Sequence, residues 1–577
     1  MRFAHRGLSA CALASVLNSA SAMAQAVHGA LPSREQVELP KPHAEKPSHD
    51  VSIEDRTART APCPFATSTI DVSLNQIRFT LPDGGLLPPE LLAVLSGIVP
   101  QPGPHRLAQL CDLRDIAADS LRRGGYIAGV IIPPQIINSG EVVFYVIPAR
   151  LADIRVSGST GRHRRTLEAR IAQIKALTVL NTHEIERILL LANDVPGLHL
   201  SLTLRASGTG SVDLIGDLVV STTSFVVVAN AQNSGSRAIG RESLALRAEY
   251  YGLTGHSDRT FLGASSTADF SEQRLVQVGH YVGTDKGVTI GGRFSYAWSR
   301  PDIGALDLRS NSLIAGIDAT LPLIRAVRAS VLAGGGFELI EQRIRLNFDG
   351  SAIPVTQDKL RVGYLRLSGS LRKPRFVGPD RWSLAGSIEL RRGFDILGTT
   401  RAGVITDAGY APSRFDGDPT ATVIRVGVDG TLGLGRTLSV GASVQGQWAS
   451  GALLSFEEFS VGNLTIGRGY DPGITSGDKA IAARIEPRAD VPLSRAIGTQ
   501  FFAFYDTVRL WNDDVGTTEN NRTIGSCGGG LRAWLPGRLS LEALYAHPLD
   551  PELRLPGAPR ATDRALLSLT VQFAPRA

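Results

Sequence analysis

From about residue 217 to residue 573 the chain alternates apolar and polar side chains with a period of two, and no helical segment of any length interrupts it. Leu244, Leu246, Ala248 and Tyr250 oppose Arg247 and Glu249. Leu438, Val440, Ala442 and Val444 oppose Ser439, Ser443, Gln445 and Gln447, and Leu567, Leu569, Val571 and Phe573 oppose Ser568, Thr570 and Gln572. Period two is the signature of strands with two unlike faces, here one for lipid and one for water. A soluble sandwich shares the alternation. Against it stand the aromatic residues Tyr296 and Trp298 at a strand end, as in interfacial girdles, and a last strand that ends on Phe573. A sheet edge left open in lipid has unsatisfied backbone groups, so the sheet must close. At about 22 residues per strand and connection, the segment holds about 16 antiparallel strands of about 10 residues each.

Composition supports this. With 61 glycines, 20% charged residues and a mean hydropathy of +0.03, the chain lacks the runs of about 20 apolar residues that a helical membrane protein needs. A barrel averages to neutral because its two faces alternate. Arg2, His5 and Arg6, the small apolar stretch Leu8–Leu17 and Ala22-Met23-Ala24 read as a secretory signal over 1–24, cleaved before Gln25. Export implies an oxidising compartment. Cys11 leaves with the signal, so a disulfide is expected between Cys63 and Cys111 in the soluble part, with Cys527 free in the barrel. The net charge of +6 comes with no basic run, so no nucleic-acid partner is expected. No glycine-rich loop ends in Lys-Ser or Lys-Thr, and His280 and His547 have no defensible catalytic partners. Neither an enzyme, a metal nor a cofactor is expected.

The remainder divides readily. Residues 25–62 are rich in Pro, Lys, Glu and His without apolar period and read as a flexible linker. Residues 63–151 form one α/β unit: strand positions Val72 to Phe79, a short helix opened by Pro89, a helix over 106–123 stopped by Gly124-Gly125, then two strands at 126–132 and 141–147. Residues 152–216 repeat the plan, with a helix start at Asn181-Thr182-His183-Glu184. The barrel takes 217–573, and 574–577 is a short extension.

Several motifs in these units resemble one family. The first unit carries Arg123-Gly124-Gly125-Tyr126, Pro134-Gln135 and Gly140. The second carries Asn193-Asp194-Val195-Pro196-Gly197, and the barrel opens with Asn233-Ser234-Gly235-Ser236-Arg237. The most specific run is Glu458-Phe459-Ser460-Val461-Gly462, then Gly467-Arg468-Gly469-Tyr470 and Gly477-Asp478. Together they resemble the outer-membrane transporters of two-partner secretion, of the haemolysin-activator type, with two periplasmic POTRA domains before the barrel. Gly467 stands where the family has Val or Ile, Asn463 replaces a second glycine, Pro148-Ala149-Arg150 replaces the usual Glu-Gly-Arg, and Val508 replaces the glycine of a Phe-x-Asp-x-Gly pattern.

The resemblance implies an architecture and a set of roles. The long loop tip Arg468-Gly469-Tyr470 folds into the lumen, where Arg468 pairs with Asp506 of the inner wall. Gly125, Tyr126, Gln135, Asn193, Pro196 and Gly197 belong to motifs of the cargo-recognising domains, Cys63 and Cys111 match a cysteine pair of one branch, and Phe573 anchors the final strand. Outer-membrane location, POTRA domains in the periplasm, and export of an unfolded exoprotein with an N-terminal secretion domain follow as expectations. Partners beyond that cargo would be outer-membrane lipid and the barrel-assembly machinery. A barrel-assembly factor and a passive porin are the alternatives.

Overall fold

The computed structural model describes Arg34, Val37, Leu39, the backbone of Val51–Ile53, and residues 62–575 except 138–139, 209–212, 305, 376–377, 463–465, 492, 495–496, 515–519, 537 and 553–560. The expected signal and its cleavage site lie outside the described residues.

Sixteen antiparallel strands close a barrel, from Phe225–Gln232 to Arg564–Phe573. First and last strands pair along the seam, with Val227 opposite Phe573 and Gln232 opposite Ser568. The alternation sorts as expected for a transmembrane barrel. Leu244, Leu246, Val444, Leu567 and Phe573 are exposed on the outer face, whereas Arg247, Glu249, Ser443 and Gln447 are buried inside. Arg247 and Glu249 form an ion pair of 2.7 Å there. Three neighbouring strands, Leu306–Arg325, Ala329–Phe348 and Ser351–Lys373, run 20, 20 and 23 residues. About 10 residues cross a bilayer. The Phe348–Ser351 turn lies at the end away from the α/β units, so the surplus projects there.

The first α/β unit has a three-stranded sheet: Glu141–Pro148 lies between Gln76–Thr80, parallel to it, and Ala128–Ile131, antiparallel. Helices Pro89–Leu95 and Gln109–Arg123 cover it, burying Leu91, Leu95, Leu110, Ala117 and Leu121. The second helix starts later than its apolar spacing suggests. Gly103–Arg106 pairs instead with Asp71–Leu74, so Arg106 is held in a strand and the helix begins at Gln109. Cys63 and Cys111 are joined, with Cα atoms 5.8 Å apart, and Cys527 is free.

In the second unit, helices Arg164–Lys175 and Thr182–Asn193 pack on a sheet of Arg150–Gly158, Asp213–Thr222 and Leu198–Ala206. Two boundaries move. Asp213–Thr222 stays in this sheet to its end, so the barrel begins at Phe225 and not at 217, and the unit starts at Arg150. The alternation of Leu214, Leu218 and Val220 continues across the joint, which hides the change of sheet from the sequence.

The expected flexible linker over 25–62 is corrected as well. Val51–Ile53 runs parallel to Leu198–Ala206 as a fourth strand of the second sheet. Val37 and Leu39 are buried inside the barrel against Leu275, Ile340, Leu360 and Phe456. Two apolar residues form no period, yet a lumen-facing apolar patch suffices to hold them.

Candidate functional site: the loop folded into the barrel

Between strands Leu438–Ala449 and Lys479–Asp490 the chain leaves the wall at the end opposite the α/β units and returns into the lumen. Val461, Ile466 and Tyr470 of this loop pack against Ala482, Val508, Leu510 and Ile524 of the wall. Gly467 has φ +69°, and a Cβ there would lie 2.5 Å from Val461 Cγ1, so the departure from Val or Ile is enforced by this tip's shape. A Cβ on Gly469 would meet Ser526 Cβ at 2.8 Å and Pro548 N at 3.0 Å: the tip backbone lies flat on the wall. The Tyr470 hydroxyl donates to Gly525 O at 2.8 Å and accepts from Asp550 N at 3.0 Å.

The structure brings Arg468 and Asp506 together. Arg468 Nε and Nη2 donate to the two carboxylate oxygens of Asp506 at 3.1 and 3.0 Å, and Arg468 N adds a third bond at 3.2 Å. The guanidinium also lies 3.5 Å over the Phe504 ring, on the same strand face as Asp506. A planar fork suits both a carboxylate and an aromatic face. A second acid was not anticipated. Glu486 Oε2 accepts from Arg468 Nη1 at 2.9 Å, and Glu486 also holds Arg488 at 2.8 Å and Arg532 at 2.7 Å. Arg468, Asp506 and Glu486 are each 0% exposed. The available signal was parity, since Glu486 shares its strand face with Ala482 and Arg488, which point inward.

A larger cluster sits at the loop's root. Arg391 donates to Glu338 at 2.8 Å and to Glu457 at 2.9 and 2.8 Å, and Arg425 donates to Glu457 at 3.0 Å. Arg34, from the segment expected to be a linker, joins both acids: Glu338 at 3.2 Å and Glu457 at 3.0 Å. Thus the N-terminal segment, the wall and the lumen loop share one charge network. Its members are far apart in sequence, and no local motif announces them.

The six residues expected to mark cargo recognition lie at joints and sheet edges. Thr182 N donates to Gly125 O at 2.8 Å and Ile127 N to Leu180 O at 3.1 Å, so Gly125-Tyr126 ties the first unit to the second. A Cβ on Gly125 would meet Asn181 Oδ1 at 2.6 Å. Gln135 bonds both backbone groups of Val143, at 2.9 and 2.8 Å, and Asn193 does the same to Leu200, at 3.1 and 2.6 Å. Pro196 precedes Gly197, where a Cβ would meet Thr223 O at 2.2 Å and Tyr251 Cδ2 at 2.6 Å. Beside it Arg325, at a barrel turn, forks Asp194 at 2.8 and 2.6 Å. The second unit is further docked by Thr166 on Ser257, at 2.6 Å, and by Arg170 on Asp285 O, also at 2.6 Å.

No family model matches the chain. The heme/hemopexin transporter protein HuxB of Haemophilus influenzae (strain 86-028NP) is 23% identical over 470 residues, covering 77% of this chain and 78% of HuxB. Among solved structures, CdiB from Escherichia coli matches with a TM-score of 0.70 at 18% identity, covering 90% of this chain and 95% of that one. CdiB from Acinetobacter baumannii matches with a TM-score of 0.64 at 16% identity, covering 94% and 95%. The chain has the fold of the two CdiB structures.

Proposed function

We propose that this chain is an outer-membrane transporter of the two-partner secretion type, which exports an unfolded polypeptide partner to the cell surface or medium. The observation that carries the reading is the occupied lumen. A loop locked to the wall through Arg468, and Val37 and Leu39 packed beside its root, occupy the lumen. A passive porin keeps an aqueous channel instead. Cargo would be met in the periplasm by the α/β units, by strand addition to an edge such as Gln76–Thr80 or Ala128–Ile131. Backbone pairing there holds an extended chain without reading its side chains. The joints at Gly125 and Gly197 would pass the load on to the barrel. No chemistry is required of the transporter, so we assign it no enzymatic role; folding of the cargo outside would supply the direction.

The test is comparative analysis of secreted and surface proteins. Disrupting the gene in its own host should remove one large exoprotein from the surface or medium, and the intact gene should restore it. An unchanged set of exported proteins would overturn the reading.

A further inference from the structure

The lumen loop is held at its tip by Arg468, but its two roots lie at the outer mouth, near Leu453–Glu458 on one arm and Asp478 on the other. Between them stands Arg414, from the connection between strands Trp382–Gly393 and Thr422–Gly433. Its Nη2 donates to Asp478 Oδ2 at 3.0 Å, its Nη1 donates to Leu453 O at 2.8 Å, and its Nε donates to Asp514 Oδ2 at 2.9 Å. Glu458 lies 2.9 Å from Nη1. One guanidinium thus joins three connections: its own, both arms of the lumen loop, and the 512–521 connection.

The surroundings are built around it. Asp478 is fully buried and also accepts Leu453 N at 2.7 Å and Asp513 N at 2.8 Å. Asp418 N donates to Ala452 O at 2.8 Å, and a Cβ on Gly417 would meet Leu454 Cδ2 at 2.8 Å, so the flanking backbone is fitted closely to the loop root. The charge balance is lopsided. Glu458, Asp478 and Asp514 all converge on Arg414, and their side chains are 3%, 0% and 27% exposed. Without the cation, three like charges would face one another with little water to screen them.

We infer that Arg414 is a clip that holds the outer mouth shut at rest, and that it must release before cargo can leave. It is a positioning residue: its fork spans both loop arms and a neighbouring connection, and the carboxylates it gathers would push those parts asunder once it lets go. The clip differs from the Arg468 lock in place and partners, one at the mouth and one deep in the lumen. It rests on the export reading for its purpose but not for its test.

The test uses the purified full-length protein in planar bilayers, with no cargo present, and compares each Arg414 variant with its parent both with Arg468 intact and in an Arg468→Ala background, where the loop tip no longer blocks the lumen. Arg414→Ala should raise the open probability about a hundredfold, the equilibrium shift expected when one side of a buried ion pair is deleted. Arg414→Lys, which keeps the charge but loses the fork, should fall between Arg414→Ala and the parent. If Arg414→Ala does not assemble, Arg414→Lys, which keeps a cation among the three acids but loses the fork, reads the same equilibrium with a smaller shift. A closed channel indistinguishable from the parent in whichever of these variants assembles would overturn the inference. Export of the exoprotein by the parent in cells is scored separately: an opened Arg414→Ala channel with no cargo exported by the parent would leave the clip standing and remove the transport reading.

Discussion

Among the described residues, Arg468 supplies every hydrogen bond on the Asp506 carboxylate, while Glu486 keeps Arg488 and Arg532 whatever happens to the loop. The two acids therefore respond differently to the same deletion. Removing one half of a buried pair costs about 3–5 kcal/mol because the other charge is stranded. Arg468→Ala and Asp506→Ala are each expected to cut export sharply while the barrel still assembles, and the double variant should be little worse than either single. Cargo measured in the medium for the three variants decides it; losses that simply add would dissolve the pair. A second residue acts outside the membrane. His163 is 3% exposed in the joint under the barrel, where a Cβ on Gly252 would lie 3.5 Å from its ring Cε1; Arg162 and Arg164 flank it in the chain, and Asp258 acts on it from the barrel side. Burial pushes its pKa below the ordinary 6.5, and Asp258 offsets this only in part. A depressed histidine is neutral in the docked state, so docking is complete above 6.5 and weakens as the pH falls below it. Proteolysis at the joint should accelerate as the pH falls below that value, and His163→Gln should flatten the dependence.

At the scale of elements, the molecule is a series of joints made by glycines and short side chains. The Asn193–Gly197 run ends helix Thr182–Asn193, turns the chain at φ +79°, and seats Gly197 O on Thr223 N at 2.8 Å. Gly197→Ala would place a methyl group inside the reach of Thr223 O and also force a left-handed alanine, a strain of about 1–3 kcal/mol. The barrel should survive while the second unit swings free. Gly208→Ala, with nothing within 4 Å, is the control. Equal protease resistance of the two variants would show that the joint does not depend on this contact. The strand Val51–Ile53 belongs to the same logic, since it ties the chain leading out of the lumen to the sheet of the second unit.

The whole molecule depends on closure. Phe573 pairs with Val227, and its ring lies 6.0 Å from that of Phe225 across the seam. Ala574 packs against the cluster of Val226, Val228 and Tyr251, so the dispensable tail begins at Pro575 and not at Ala574. Phe573→Asp puts a charge on the lipid face and should prevent the heat-modifiable form from accumulating, whereas truncation before Pro575 should leave it intact. Equal assembly of both would reject the assignment of the last strand. Closure also distributes charge. The root cluster of Arg34, Glu338, Arg391 and Glu457 ties the N-terminal segment to two walls and a loop. Movement of any one of these parts disturbs the charges of the others.

The alternation over 217–573 disclosed strands with two unlike faces, because side-chain parity is a local property of a strand, and with the aromatic strand ends it pointed to a closed sheet, because lipid tolerates no open edge. The glycine-flanked Arg468 and the inward parity of Asp506 were equally legible, although their pairing came through family resemblance. The barrel's starting residue was not, since a strand of the second unit and a strand of the barrel share one pattern. Nor were Glu486, the Arg391 network, the burial of Val37 and Leu39, or the Arg414 clip. Each is assembled from residues that only the curvature of a closed barrel brings within reach, and a charge in the sequence does not disclose which opposite charge will face it across a lumen.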